Sequence, residues 1–201
     1  ATAAETDRVY AIRHTRGTSG EVVASQAKLY LRGRSGFVIK CAQGVLGRDG
    51  DRFWLVDSQQ QVTVSDDFRS IDARLNQDEL GLRFLHELSL ESRHIPLMQL
   101  ASVAQLMQHD YVVTLSRSQQ GQHDADLLIG HRRHARSGLP ATIHLWADID
   151  TRIIQRAELR WEQDYVLILD LLPVKLVPRD WYGYETHCHP DSAVHRIPPE
   201  S

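Results

Sequence analysis

The sequence predicts an α+β fold: a curved antiparallel β-sheet, an incomplete barrel, with helices packed on its concave side. Two observations carry this. Strand-like segments run to about residue 66, a helical pair spans roughly 78–109, and strands resume to about residue 177. Within the first group, the stretch Gly47-Arg48-Asp49-Gly50-Asp51-Arg52-Phe53-Trp54-Leu55-Val56-Asp57 sets a tight turn before a short apolar strand that carries a tryptophan. Sheet-then-helices-then-sheet makes a hollow rather than a catalytic cleft, so the chain reads as a container and not as an enzyme.

Residues 8–15 form the first strand, closed by Gly17-Thr18-Ser19-Gly20. In 27–31, Leu29 and Leu31 oppose Lys28 and Tyr30, and in 37–41 Phe37, Ile39 and Cys41 alternate with Val38 and Lys40. The break at Gly33-Arg34-Ser35-Gly36 has hairpin length, so these two strands are antiparallel neighbours. The Asp49-Gly50 pair favours the positive φ of a tight turn into strand 52–57, and 61–65 follows with Val62 and Val64 on one face.

The period then changes. Leu80, Phe84, Leu85 and Leu88 recur at helical spacing within 76–91, with Asp78 and Glu79 suited to the positive end of the helix dipole. Pro96 fits the first turn of a second helix, whose apolar stripe is Leu97, Leu100, Val103, Ala104, Leu106 and Met107, ending near His109. Strands resume at 111–117, 125–131 and 141–146. In 152–161, Ile153, Ala157, Leu159 and Trp161 alternate with Ile154, Arg156, Glu158 and Arg160, which makes one face wet. The strand 165–172 is apolar on both faces, as when a second layer or a ligand covers it. Beyond Pro178 the chain is rich in histidine and proline and poor in aliphatics, and 183–201 reads as an irregular tail.

At 201 residues the chain suits a single domain with one sizeable core. A hydrophobic fraction of 42% and a charged fraction of 24% are ordinary globular usage. The net charge of −3 disfavours non-specific polyanion binding, so no nucleic-acid partner is expected. No apolar run reaches the length of a helical membrane span. The start Ala1-Thr2-Ala3-Ala4 is compatible with a removed signal or anchor.

No motif carries catalysis. There is no GxSxG elbow, no HExxH helix and no Gly-rich phosphate loop. Asp66-Asp67 and Asp148 with Asp150 read as solvated caps in turns. His131 with His134, and His187-Cys188-His189 with His195, invite a zinc reading, and a metal-dependent enzyme is the lesser alternative; the spacing of the first pair is poor for a strand end. No residue is assigned as catalytic or as a metal ligand, and no cofactor is implied. The run His131 to Arg136 is either a solvated loop or a contact for anionic headgroups. Cys41 and Cys188 are either one disulfide or two unrelated small apolar residues.

Several pieces together resemble the periplasmic lipoprotein-carrier fold, the LolA and LolB group with the related RseB-type sensor domain. They are Asp49 to Asp57, Ile95-Pro96-Leu97-Met98-Gln99-Leu100 followed by Tyr111-Val112-Val113-Thr114-Leu115, Ile143-His144-Leu145-Trp146-Ala147-Asp148, Thr151 to Trp161, and Leu172-Pro173-Val174 through Trp181. The likeness spans roughly 8–182. It implies a periplasmic or otherwise extracytoplasmic, non-enzymatic domain whose apolar concave face holds a lipid, an acyl chain or a lipidated protein. Phe37, Trp54, Leu100, Leu159, Trp161 and Leu167 are the candidate cavity residues. The same residues also read as a packed core between sheet and helices. The alternative implied role is a protein-interaction or sensor domain of a membrane-anchored regulator, with a membrane-associated protein as partner.

Overall fold

The computed structural model describes residues 7–15, 22–33, 36–88, 90–120, 123–135, 138–162, 165–173 and 177–198. The described strands are β1 (Asp7–Thr15), β2 (Val22–Arg32), β3 (Gly36–Cys41), β4 (Gly44–Asp49), β5 (Arg52–Asp57), β6 (Val62–Ser65), β7 (Tyr111–Gln120), β8 (His123–Arg132), β9 (Thr142–Asp148), β10 (Ile154–Arg160), β11 (Val166–Leu172) and β12 (Val194–Arg196). They follow one hydrogen-bonded order, β12-β6-β5-β4-β3-β2-β1-β11-β10-β9-β8-β7, and the sheet is open, not closed on itself. The only parallel register among those described is β12 on β6. Helices α1 (Phe68–Gln77), α2 (Glu79–Leu88) and α3 (Leu100–Asp110), with a 3₁₀ helix at Ser92–Met98, interrupt the strands between β6 and β7. This is the antiparallel open sheet with helices that the sequence predicts.

By contact the chain divides into two compact units, one of residues 1–9, 26–99 and 173–201, the other of 10–25 and 100–172. In the first unit the registers of β2 to β6 sort side chains cleanly, because residues directly opposite in an antiparallel pair share a face. Leu29, Ile39, Leu46 and Leu55 line one face. Tyr30, Val38, Gly47, Trp54 and Val64 line the other. Both rows are apolar, so both faces need cover.

Helices cover the first row. Helix α2 contacts β3 and β5, and α1 contacts β5 and β6. Ile71, Leu75, Phe84 and Leu88 are buried. The Glu87 carboxylate of α2 accepts from the backbone N–H groups of Ala42 and Gln43 at 3.0 and 2.8 Å, pinning the helix to the β3–β4 turn. Phe68 of α1 stacks at 5.4 Å on Phe53. Asp67 is the N-cap of α1, its carboxylate accepting from Arg69 N–H at 3.0 Å, which is the capping role expected for the Asp66-Asp67 pair.

The C-terminal segment covers the second row, and from residue 183 it does so as turns and coil around a short 3₁₀ helix at Tyr184–Thr186 and the three-residue β12. Trp54 Nε1–H donates to the Tyr182 carbonyl at 2.9 Å, and its ring stacks on His187 at 5.2 Å. Trp181 packs on Tyr30 at 5.1 Å and on His187 at 4.6 Å. Tyr182 Oη–H donates to Asp7, and the Arg32 guanidinium lies 4.3 Å over the Tyr182 ring. Residues 194–196 then add β12 beside β6. Val38, Val45, Trp54, Val56, Val62, Val64 and Tyr182 form a second core, with Cys188 against its margin. Cys41 and Cys188 are both free thiols. Burial, with a hydrogen bond to Glu87, pushes the Cys41 thiol up to about 12, so it is un-ionised at neutral pH.

Three elements depart from expectation. Strand β4 forms where the sequence suggested only a turn; the turn itself is Gly50-Asp51, with Gly50 at φ +62°. Helix α1 precedes the expected helical pair. Pro96 lies inside the 3₁₀ helix, and α3 begins at Leu100. Residues 16–21, expected as the loop closing β1, lie outside those described.

Gly47 faces Trp54 across the ladder, and a Cβ there would stand 2.1 Å from the indole Cζ2, far inside contact distance. Gly47→Ala is therefore expected to destabilise by about 3 kcal/mol through overpacking, measured by urea denaturation. In a Trp54→Leu background the same substitution costs much less, since the methyl enters vacated space, so the double-mutant cycle shows a large coupling.

Buried His94 and half-buried His187 give a pH dependence of known sign. Burial holds His94 down to about 4 from an ordinary 6.5, and burial also lowers His187. His94 Nδ1 accepts from the Glu91 N–H at 3.3 Å, which requires the neutral ring. A folded-state value below the unfolded one means that the unfolded chain binds the proton more tightly. The contribution of His94, on the order of 3 kcal/mol, is complete above pH 6.5 and is lost as pH falls from there towards 4. A pH series of thermal unfolding is expected to show this slope, and His94→Asn, which keeps an acceptor, to flatten it.

Candidate functional site

The second unit has a different balance of cover. Strands β7 to β11 are antiparallel, and their registers set side chains in transverse rows. One row is Val113, Gly130, Ile143, Leu159 and Leu167; the next is Leu115, Leu128, Leu145, Ala157 and Leu169. Both lie on the same face, being two residues apart on every strand. Helix α3 sits on this face at the Tyr111 end: the Met107 Cε methyl lies 2.9 Å from where a Gly130 Cβ would be, so glycine there makes room for the helix. Leu100, Val103 and Met107 are the buried residues of α3. Tyr111 is buried beside it, its Oη–H donating at 2.7 Å to the Pro140 carbonyl.

Exposure along the rows is graded. Ile143, Leu159, Leu167, Ala157 and Leu169 are fully buried, whereas Val113 is 41% and Leu115 67% exposed. The apolar face thus emerges into solvent at β7, the last strand in the sheet order. Among the described residues, Val112, Val113 and Leu115 are three of the five exposed large hydrophobic side chains, and all three lie within four positions of one strand.

The opposite face is ionic at β1, β11 and β10 and apolar beyond them, where Trp146 of β9 and Leu127 and Ile129 of β8 stand on it. Asp170 is bonded by Arg13 and Arg156, and Glu158 by Arg156 and Arg160, giving a ladder of alternating charge across β1, β11 and β10. Burial alone would raise the Glu158 carboxyl, but hydrogen bonds from Arg160 and Arg156 outweigh it and hold it below its ordinary value. Arg156 also lies 5.6 Å from the Trp146 ring centre. An apolar ligand has no place over that ionic ladder, because it would desolvate paired charges.

The six cavity candidates separate. Leu159 and Leu167 are direct cross-strand partners on the apolar face, and Leu100 is a buried residue of α3 in the same unit. Trp161 lies just past β10, stacked at 5.4 Å on Tyr165, with Nε1–H donating to the Gly138 carbonyl at 3.1 Å. Phe37 and Trp54 belong to the other unit and point to opposite faces of its sheet, Phe37 sharing its rung with Phe53 and Arg48, Trp54 lying under the tail. They do not line one surface. The residues sequence reasoning missed are Val113 and Leu115; their strand was legible, and the signal available was its lack of charge between Tyr111 and Ser116.

Other expected features resolve into structure. Arg132 donates to the Leu139 carbonyl and pairs with Glu162, and Arg133 donates to the Tyr111 carbonyl, so the basic run holds its own loop together; Arg136 lies outside the described residues. Asp148 accepts from the N–H groups of Asp150 and Thr151 at 3.2 and 2.7 Å, a turn cap as expected. His187 is committed to the indole stack, with Nε2 at 2.7 Å from the Trp181 carbonyl. No three potential ligands converge on a metal position among the described residues. Two recesses, of about 70 and 220 Å³, lie in the first unit and are walled largely by polar side chains, among them Arg52, Ser65, Asp66 and Arg196 in the smaller and Ser70, Arg74 and Asp78 in the larger.

No known sequence family matches the chain, and no curated protein does. Among solved structures, an uncharacterized conserved protein from Thermus thermophilus superposes over 96% of this chain and 91% of its own with a TM-score of 0.53 at 10% identity, which establishes a shared fold and no more. A LolA superfamily protein from Nitrosomonas europaea covers 90% of this chain and 91% of its own at 11% identity, with a TM-score of 0.34. A putative outer membrane lipoprotein-sorting protein domain from Vibrio parahaemolyticus covers 87% and 88% at 10% identity, with a TM-score of 0.35. The last two fall below the level at which a superposition defines a common fold.

The graded burial predicts a graded response to substitution. Leu159→Ala is expected to cost about 2–5 kcal/mol, whereas Leu115→Ser, on the same face, changes stability by less than about 0.5 kcal/mol. Paired urea titrations check this, and equal losses would mean that Leu115 is packed.

Proposed function

We propose that this chain is a non-enzymatic, extracytoplasmic binding domain that holds an acyl chain, free or attached to a lipoprotein, against the apolar face of β7 to β9. The observation that supports it is the row Leu115–Leu128–Leu145, apolar throughout and opening into solvent at one end. A row of leucines on a pleated face is a complement for a polymethylene chain, which needs no directional bonds. Each buried methylene contributes about 0.8 kcal/mol, so covering about eight gives ~6 kcal/mol, an affinity in the tens of micromolar. That is suited to a carrier, which must also release. The sensor reading shares the face but takes a protein in place of an acyl chain.

A fluorescent fatty acid titrated into the purified protein is expected to bind saturably and to be displaced by unlabelled fatty acid. Leu128→Asp, which sets a carboxylate in the middle of the row, is expected to weaken binding at least tenfold, while Val194→Asp on the distant β12 leaves it unchanged. Absence of saturable binding, or equal loss in both variants, overturns the acyl reading; a protein partner that binds through the same face without lipid selects the sensor reading.

A further inference from the structure

Strand β7 has a property that its apolar face does not explain. Its side chains are exposed on both faces, Val113 and Leu115 on the face of the leucine row and Val112 at 53% on the other, and Thr114, Ser116 and Arg117 are exposed as well. The strand is ten residues long and pairs with β8 without a bulge along its whole length, from Tyr111 opposite Arg132 to Gln120 opposite His123. Among the described residues no strand lies beyond it in the sheet order. Natural edge strands are blunted by proline, bulges or inward charges, since a straight edge presents unpaired N–H and C=O groups to any other strand. From Val112 to Ser116 this one has none of these devices. A ligand lying on one face would leave Val112 wet, whereas a strand added at the edge covers both faces at once.

We infer that β7 pairs antiparallel with β7 of a second copy of this chain, across a two-fold axis at Thr114. The sequence of the strand supports this occupant and this register. Opposite residues in an antiparallel pair must share a face, so the axis passes through a residue position, and the choice is which one. With Thr114 opposite itself, Val113 meets Leu115 of the partner subunit at two symmetric crossings, Val112 meets Ser116, and the ladder runs seven residues from Tyr111 to Arg117. An axis at Val113 shortens the ladder to the five residues 111–115, because Asp110 belongs to α3. An axis at Leu115 sets Val113 against Arg117. Thr114 is the register that joins the exposed apolar residues to each other, and it makes the two Leu115–Leu128–Leu145 rows into parts of one uninterrupted face. The interface is isologous, as closed dimers require, and its small area places it among weak, concentration-dependent associations. It concerns the strand edge and holds whether or not an acyl chain binds the face.

Sedimentation velocity over a concentration series, with no lipid added, tests it. The wild-type chain is expected to shift from monomer to dimer as concentration rises. Val113→Lys, at an exposed site that leaves the fold intact by circular dichroism, removes the dimer. The double variant V113K/L115E restores it, because opposite charges then meet at both crossings, and high salt weakens the restored dimer. Wild-type protein that stays monomeric throughout, a dimer that survives V113K, or a double variant that stays monomeric each overturns this pairing. Lipid binding by a strictly monomeric protein would leave the acyl reading standing and remove this one.

Discussion

The contact on which the first unit depends is the indole of Trp54 lying on the bare backbone of Gly47, roofed by Tyr182 and His187. Strands β3 to β6 are apolar on both faces, and a sheet of that kind is stable only between two layers. Helices supply one layer. The tail supplies the other, and it does so with aromatic rings and a β12 strand instead of a helix. Glycine at position 47 lets the largest side chain of the sheet lie flat, which brings its Nε1–H to the Tyr182 carbonyl. That hydrogen bond satisfies the one polar atom of a side chain otherwise sealed from water.

How much of this was legible follows from what each element is made of. Strands β3 and β5, short apolar runs bounded by turn residues, and β10, where Arg156, Glu158 and Arg160 alternate with Ala157 and Leu159, were readable in place. Strand β4, Gly44-Val45-Leu46-Gly47-Arg48-Asp49, carries two glycines that read as turn; one faces Phe84 and the other Trp54, so tertiary packing and not local propensity explains both. Helix α1 offers only Ile71 and Leu75 as buried aliphatics and follows an Asp pair that reads as the end of a turn. The tail covers a core without aliphatic periodicity, and periodicity is the signal by which a covering element shows in a sequence. Its prolines and histidines pointed to irregularity, yet the spacing of Trp181, Tyr182 and His187 is what lets them roof one tryptophan.

The candidate site was half legible for a related reason. Leu159 could be assigned to an inward face because polar residues alternate with it along β10, and Leu167 to a strand apolar on both faces, but a sequence gives no register between distant strands. Only the register shows that Leu159 continues through Ile143 and Gly130 to Val113, and that Trp54 and Phe37 face opposite ways. Exposure is a property of the last strand in that order, and strand order is set by long-range pairing.

The two units differ in how their sheet faces are covered. In the first, apolar rows on both faces are matched by helices and tail, and among the described residues nothing apolar of size is left over except Leu82 and Val194. In the second, one face carries on β1, β11 and β10 an ionic ladder whose arginines and carboxylates are paired among themselves. The other is apolar, and α3 lies at its Tyr111 end while Leu115 stays open. Covering Leu115 would have taken only a longer helix or a polar residue at that position, and exposed Val and Leu on a free edge carry an aggregation cost. A surface kept apolar at such a cost is what the proposed acyl-chain role would explain, since a ligand laid on the row would remove that surface from water.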